Sequence, residues 1–224
     1  MSFGLLGLLS TEPLLFVLLA VSLIAAISLH EFGHAYVADL QGDRMPRAMG
    51  RVSVNPMRHL DPLGTVFIFL VGFGWGKPVE FRTQALSSKR FGPAAVALAG
   101  PAMNLLLAVL GALAFRIVAD PVTREVVTTF GALPPGASVL AQLTFYFTSI
   151  NILLAIFNLI PLPPLDGSRL LTVFLPPRRQ NIIFFLDRYG FLILLALLLF
   201  GGFTLLEPII EFASRVIFTV TGVA

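Results

Sequence analysis

Charged side chains are scarce in this sequence. Asp, Glu, Lys and Arg make up 12% of 224 residues while 57% are hydrophobic; a soluble domain carries about 25% charged residues. Too little polar side chain remains to cover a water-facing surface, which excludes an ordinary soluble domain and makes the bilayer the solvent. Cysteine is absent, which excludes disulfides and thiolate metal sites. Any metal must be held by nitrogen and oxygen, and the chain offers three histidines. The opening stretch, MSFGLLGLLS, lacks a basic n-region, so no cleavable signal peptide is expected. Long polar tracts, low-complexity runs and obvious repeats are missing too, so residues 1–224 read as a single membrane-embedded domain. Its core is expected over about 13–175 and its C-terminal helices over about 181–224. The pI of about 9.8 does not point to nucleic acid. The basic residues are dispersed and mostly arginine, as suits loops facing an anionic cytoplasmic leaflet.

What is present is long apolar runs. A helix needs about 20 apolar residues to cross a bilayer. Pro13–Leu40 supplies them, with Thr11 or Glu12 as N-cap and Pro13 in the first turn. Further spans are expected over Pro93–Val118, over Val139–Ile160, stopped by Pro161, Pro163 and Pro164, and over Ile182–Phe203. The tail Pro208–Ala224 is short and carries Glu211 and Arg215; lying in the interface and pairing with another helix both remain open.

Leu63–Trp75 is mostly apolar but, at thirteen residues, too short to span. Arg44, Arg47, Arg51 and Arg58 precede it, and Lys77, Arg82, Lys89 and Arg90 follow it. A crossing would make both sides of the membrane equally basic, whereas a re-entrant loop or hairpin keeps all eight charges together. With four spans that side also receives Arg169, Arg178, Arg179 and Arg188, leaving only Arg116, Arg124 and Arg215 opposite. The positive-inside rule makes the basic side cytoplasmic and puts the N-terminus outside.

The chemistry is concentrated in His30-Glu31-Phe32-Gly33-His34, an H-E-x-x-H motif within the first span. Residues four apart share a helical face, so both imidazoles can bind one cation while Glu31 lies close to a water on it. Neutral imidazole suits zinc, and three protein ligands leave a fourth position open. The alternative, an interfacial His pair packed against loops, fits poorly with ionisable groups ending a long apolar helix, where they are costly and usually functional. The third ligand must come from elsewhere. Asp166 is the candidate, following the helix-breaking prolines, and Gly167 lets the chain turn closely past a metal. Asp166 as an N-cap of the helix that begins Gly167-Ser168-Arg169 is the competing reading, and chemistry alone leaves the two open.

H-E-x-x-H in a membrane helix, joined to N-x-x-P-x-x-x-x-D-G at Asn158–Gly167, resembles the site-2 protease family of intramembrane metalloproteases. Gly100-Pro101-Ala102-Met103-Asn104 is similar to the G-P-x-x-N of that family's middle core helix. Asn55–Gly64 and Gly74–Val79 resemble loop segments of its short branch, which lacks PDZ and CBS domains. The resemblance implies an all-α polytopic membrane protein with about four to six transmembrane helices, a three-helix catalytic core, and a re-entrant loop or small β-hairpin. It implies one Zn2+ held by His30, His34 and Asp166, Glu31 as general base, and Asn158 positioning substrate or the oxyanion. The implied partners are the lipid bilayer and a membrane-protein substrate cut at a transmembrane segment, in the cell membrane with the active site toward the cytoplasm.

Other residues carry weaker signals. Gly100 and Asn104 share a helix face, where close packing and an interhelical hydrogen bond are the preferred reading. His59 reads as an interfacial polar residue. Gly72, Gly74 and Gly76 suit either a backbone edge for an extended substrate or a flexible membrane-dipping loop. A metal transporter would also place His, Asp and Asn at membrane depth, but such folds often show paired repeats with broken helices in both halves. Here only the third span is broken. An inactive, partner-binding relative is the other rival, although every chemical part of the site is intact.

Overall fold

The structure is a computed structural model that describes residues 5–71, 74–174 and 180–223. Gly72 of the glycine series, and Arg178 and Arg179 of the charge argument, lie outside the described residues. The described chain is helical, with α1 (Leu6–Thr11), α2 (Pro13–Leu40), α3 (Met45–Ala48), α4 (Pro62–Val71) and α5 (Gly92–Val118) in its first half. α6 (Pro121–Phe130), α7 (Val139–Asn158), α8 (Ser168–Phe174), α9 (Gln180–Leu199) and α10 (Glu207–Val220) follow. α2, α5 and α7 are long and apolar enough to cross a membrane, and they pack on one another as a three-helix core.

Small residues set how closely that core packs. A Cβ on Gly33 of α2 would lie 2.8 Å from the Ala99 carbonyl of α5, so the two backbones touch where larger side chains would hold them apart. α6 begins on Asp120, which accepts from the Thr123 amide, and α7 on Ser138, which accepts from the Ala141 amide; each satisfies an otherwise orphaned helical N–H. α2 differs from expectation. Neither Thr11 nor Glu12 caps it with a side chain, because α1 ends directly before it and the Thr11 hydroxyl donates back to Gly7.

The fourth sequence-read span corresponds to α9, which ends four residues early at Leu199 as the chain turns through Gly201 at φ 84°. Its Leu194 is buried against Phe157, Leu162 and Leu165. The tail, open between two readings, forms α10 and packs on α5 and α7, where Ile217 and Phe218 join a cluster with Phe115 and Phe145.

The short apolar segment enters as α4 and comes back extended. Phe69 reaches Phe16 near the start of α2, with ring centroids 5.7 Å apart. Gly76 has returned to Leu60, which it faces across an antiparallel bridge, and the Lys77 amide donates to the His59 carbonyl at 2.6 Å.

Candidate metal centre

His30 and His34 lie one turn apart near the C-terminal end of α2, on the face against α5, and both are 7% exposed. Each ring is fixed from behind. His34 Nδ1 donates to the Val96 carbonyl at 2.7 Å, and His30 Nδ1 lies 2.5 Å from Asn104 Oδ1. With both Nδ1 atoms used as donors, the neutral rings present bare Nε2 lone pairs on the other side.

Those two Nε2 atoms are 3.0 Å apart. Asp166 Oδ2 completes a triangle, 3.0 Å from His30 Nε2 and 3.2 Å from His34 Nε2. It arrives there because α7 stops at Asn158 and the following loop doubles back. The Gly167 amide donates to the Asn158 carbonyl at 2.7 Å. A Cβ on Gly167 would sit about 2.5 Å from the Ile160 carbonyl, so only glycine closes this turn so tightly.

Three acceptor atoms facing one another repel unless positive charge lies between them. Asp166 Oδ2 is buried without a hydrogen-bond partner, so it is free to serve as a ligand atom. The donors also suit zinc. Bonds of about 2.0–2.2 Å at tetrahedral angles place ligand atoms roughly 3.3 Å apart, close to the spacings found. Gly100 of α5 forms the floor: a Cβ there would collide with His34 Nε2 and lie 2.6 Å from His30 Nε2. Among the described residues these three side chains are the only group placed to hold a metal.

Glu31 projects beside this triangle without joining it. The extended segment after α4 passes over its carboxylate, since a Cβ on Gly76 would lie 3.1 Å from Glu31 Oε1. Arg51 approaches from below. Its guanidinium is 3.9 Å from Glu31 Oε2 and donates to the Arg58 and Lys77 carbonyls, tying both arms of the returning loop beneath the carboxylate.

Asn158 makes no side-chain hydrogen bond to the triangle. Its Nδ2 donates to the Leu154 carbonyl one turn back at 3.0 Å, while its backbone carbonyl holds the turn that delivers Asp166. His59 is fully buried and lies 2.5 Å from the Ser53 carbonyl through Nε2, outside the metal cluster; burial holds its imidazole below the usual range. Asn104 forms the expected interhelical bonds, to the Ala26 carbonyl and to Asn151, but its oxygen also faces His30. Sequence reasoning passed over Arg51 and Asn151. For Asn151 a signal existed: an amide inside an apolar span needs a partner, and Asn104 stands in the neighbouring span.

A hydrolytic site of this kind inside an apolar helix bundle defines a class of proteins, the membrane-embedded metallopeptidases. The family follows from comparison with known proteins: residues 18–201 match the model of peptidase family M50, and the chain belongs to that family, the site-2 proteases. It is similar to "Putative zinc metalloprotease YwhC" of Bacillus subtilis (strain 168), 35% identical over 179 residues that cover 80% of this chain and 78% of that one. It is also similar to "Putative zinc metalloprotease Rip2" of Mycolicibacterium smegmatis, 32% identical over 190 residues, 82% of this chain and 67% of the other. No solved structure matches it.

Proposed function

We propose that the chain is an intramembrane zinc metalloendopeptidase that hydrolyses peptide bonds in or near transmembrane segments of other membrane proteins. The observation that carries this reading is the convergence of His30 Nε2, His34 Nε2 and Asp166 Oδ2 within 3.2 Å of one another. These residues hold one zinc per chain. Bound there, zinc supplies a Lewis acid that lowers the pKa of a water to about 7 and polarises the scissile carbonyl. Glu31 takes the proton from the attacking water and passes it to the leaving nitrogen. Asn158 supplies a further donor to the oxyanion once its amide leaves the Leu154 carbonyl.

A substrate helix hides its carbonyls in its own hydrogen bonds and must unwind locally to be cut. Residues 1–224 form one domain, with α9 as a fourth crossing, in the cell membrane. The charge distribution supports an active site near the cytoplasmic face. The Leu60–Gly76 bridge supports a re-entrant course for the segment between them.

Glu31→Gln separates an enzyme from a metal carrier. It keeps the side chain's shape and removes its basicity, so the variant should fold and bind zinc while cleavage falls by about 10²–10⁴-fold. The measurement is zinc content together with cleavage of a fluorogenic transmembrane peptide in detergent. Cleavage by the variant at the parent rate would overturn the assignment.

A further inference from the structure

Asn104 and Asn151 are both 0% exposed, at the place where α2, α5 and α7 meet. Two buried amides are costly to leave unpaired, and these are joined in a chain whose direction is set at its ends. Asn151 Nδ2 donates to the Phe147 carbonyl at 2.8 Å, a group that can only accept. Asn151 Oδ1 must then face Asn104, whose Nδ2 donates to it at 2.8 Å and to the Ala26 carbonyl at 3.3 Å. Only Asn104 Oδ1 is left for His30, 2.5 Å from its Nδ1. Each amide is therefore held in one orientation by a backbone carbonyl.

We propose that Asn151, acting through Asn104, is a positioning residue of the metal site that fixes the tautomer and direction of the His30 ring. The inference rests on the reading of His30 as a zinc ligand. His34 needs no such device, because Val96 offers it a carbonyl that cannot turn over. His30 instead faces a side-chain amide. An amide that flipped would present its NH2 group and drive the ring's proton to Nε2, where it blocks the metal. Asn151 gives Asn104 the shorter of its two holds against that flip, 2.8 Å beside 3.3 Å to the Ala26 carbonyl, and it brings the third core helix into the site alongside the loop that carries Asp166.

The test uses the full-length protein in detergent, with zinc affinity measured by competition against a chromophoric chelator. Asn104→Leu and Asn151→Leu should each weaken zinc about 10–100-fold, as loss of a partner behind a ligating histidine does. The double variant should bind zinc no more weakly than Asn104→Leu alone, because Asn151 acts only through Asn104; additive losses would overturn the proposal. Asn151→Asp, which in its protonated form reproduces both bonds, should stay within a few-fold of the parent. Thr148→Val supplies the packing control: Thr148 is also 0% exposed on α7 but bonds only along its own helix, to Thr144. It should lower thermal stability and leave zinc affinity unchanged.

A second readout is the 15N spectrum of histidine-labelled, zinc-free protein, simple because the chain has three histidines. His30 should carry its proton on Nδ1 in the parent and shift toward Nε2 in Asn151→Leu. Parent-like zinc affinity and tautomer in a folded Asn151→Leu, or a loss in Asn151→Asp as large as in Asn151→Leu, would overturn the proposal. A parent that binds no zinc would sink the metal reading instead, and the tautomer measurement would still decide this one.

Discussion

At Gly100 the absence of a side chain is the functional property. The space a methyl group would fill is the space the two imidazole Nε2 atoms converge on. Ala is the better helix former by about 1 kcal/mol, so Gly100→Ala should leave α5 intact and still lower zinc occupancy at least tenfold, measured by metal analysis against circular dichroism. Full occupancy would show that the floor of the site can yield. This residue also marks how far the sequence could be read. His30, Glu31 and His34 were legible because a four-residue spacing maps directly onto one helical face. Asp166 was legible only as one of two readings, since the same residue in the same turn suits a cap; its unpartnered oxygen appears only in three dimensions. Gly100 and Asn104 were recognised as contact residues, but not as the floor and the back of the metal site. Nothing in spacing alone says which face of α5 meets α2. Arg51 was invisible for a different reason: it looked like one more basic loop residue, and only the fold brings it under Glu31.

Among the elements, α4 is the one whose length argues against a crossing. A helix of ten residues rises about 15 Å, half of the roughly 30 Å of hydrocarbon in a bilayer. Its near end lies by Leu60 and its far end by Phe16. Gly76, back beside Leu60, would place a Cβ 3.0 Å from Ile27. Residues before and after this segment should therefore share a compartment. The chain has no cysteine of its own, so single cysteines report cleanly. Met57→Cys, at a side chain 80% exposed, and Lys89→Cys should both react with an impermeant thiol reagent from the cytoplasmic side. Phe130→Cys, at the end of α6, should react from the opposite side. Labelling of positions 57 and 89 from opposite sides would dismantle the re-entrant course. Hydropathy identified the long helices easily, because a bilayer imposes one length on them. It could not place α10, whose fourteen residues suit an interface as well as a helix contact; the aromatic cluster that decides it is assembled from distant parts of the chain.

At the scale of the whole molecule, two of the packed regions among the described residues differ in character. Around the metal site the packing is of small residues and backbone. Farther along α5 and α7 it is aromatic, with Phe218 of α10 6.0 Å from Phe115 and 6.4 Å from Phe145 between ring centroids, and Arg116 donating to the Thr221 carbonyl. Phe218→Ala should cost about 3–5 kcal/mol of stability, seen as a lower thermal midpoint in detergent. Zinc affinity of the folded variant should be unchanged, because none of the lost contacts touches His30, His34 or Asp166. A parallel loss of zinc affinity would show these two regions to be coupled. The metal triangle has a consequence for how long the fold lasts. His34 and Asp166 close a stretch of about 130 residues, so an ion shared between them is a cross-link in a chain that has no disulfide. Unfolding must either expel the ion, against its binding free energy, or carry a closed loop whose restricted freedom disfavours the unfolded chain. The ion that equips the site for hydrolysis is in that sense also a clasp, and a chelator strong enough to silence the enzyme should shorten its lifetime.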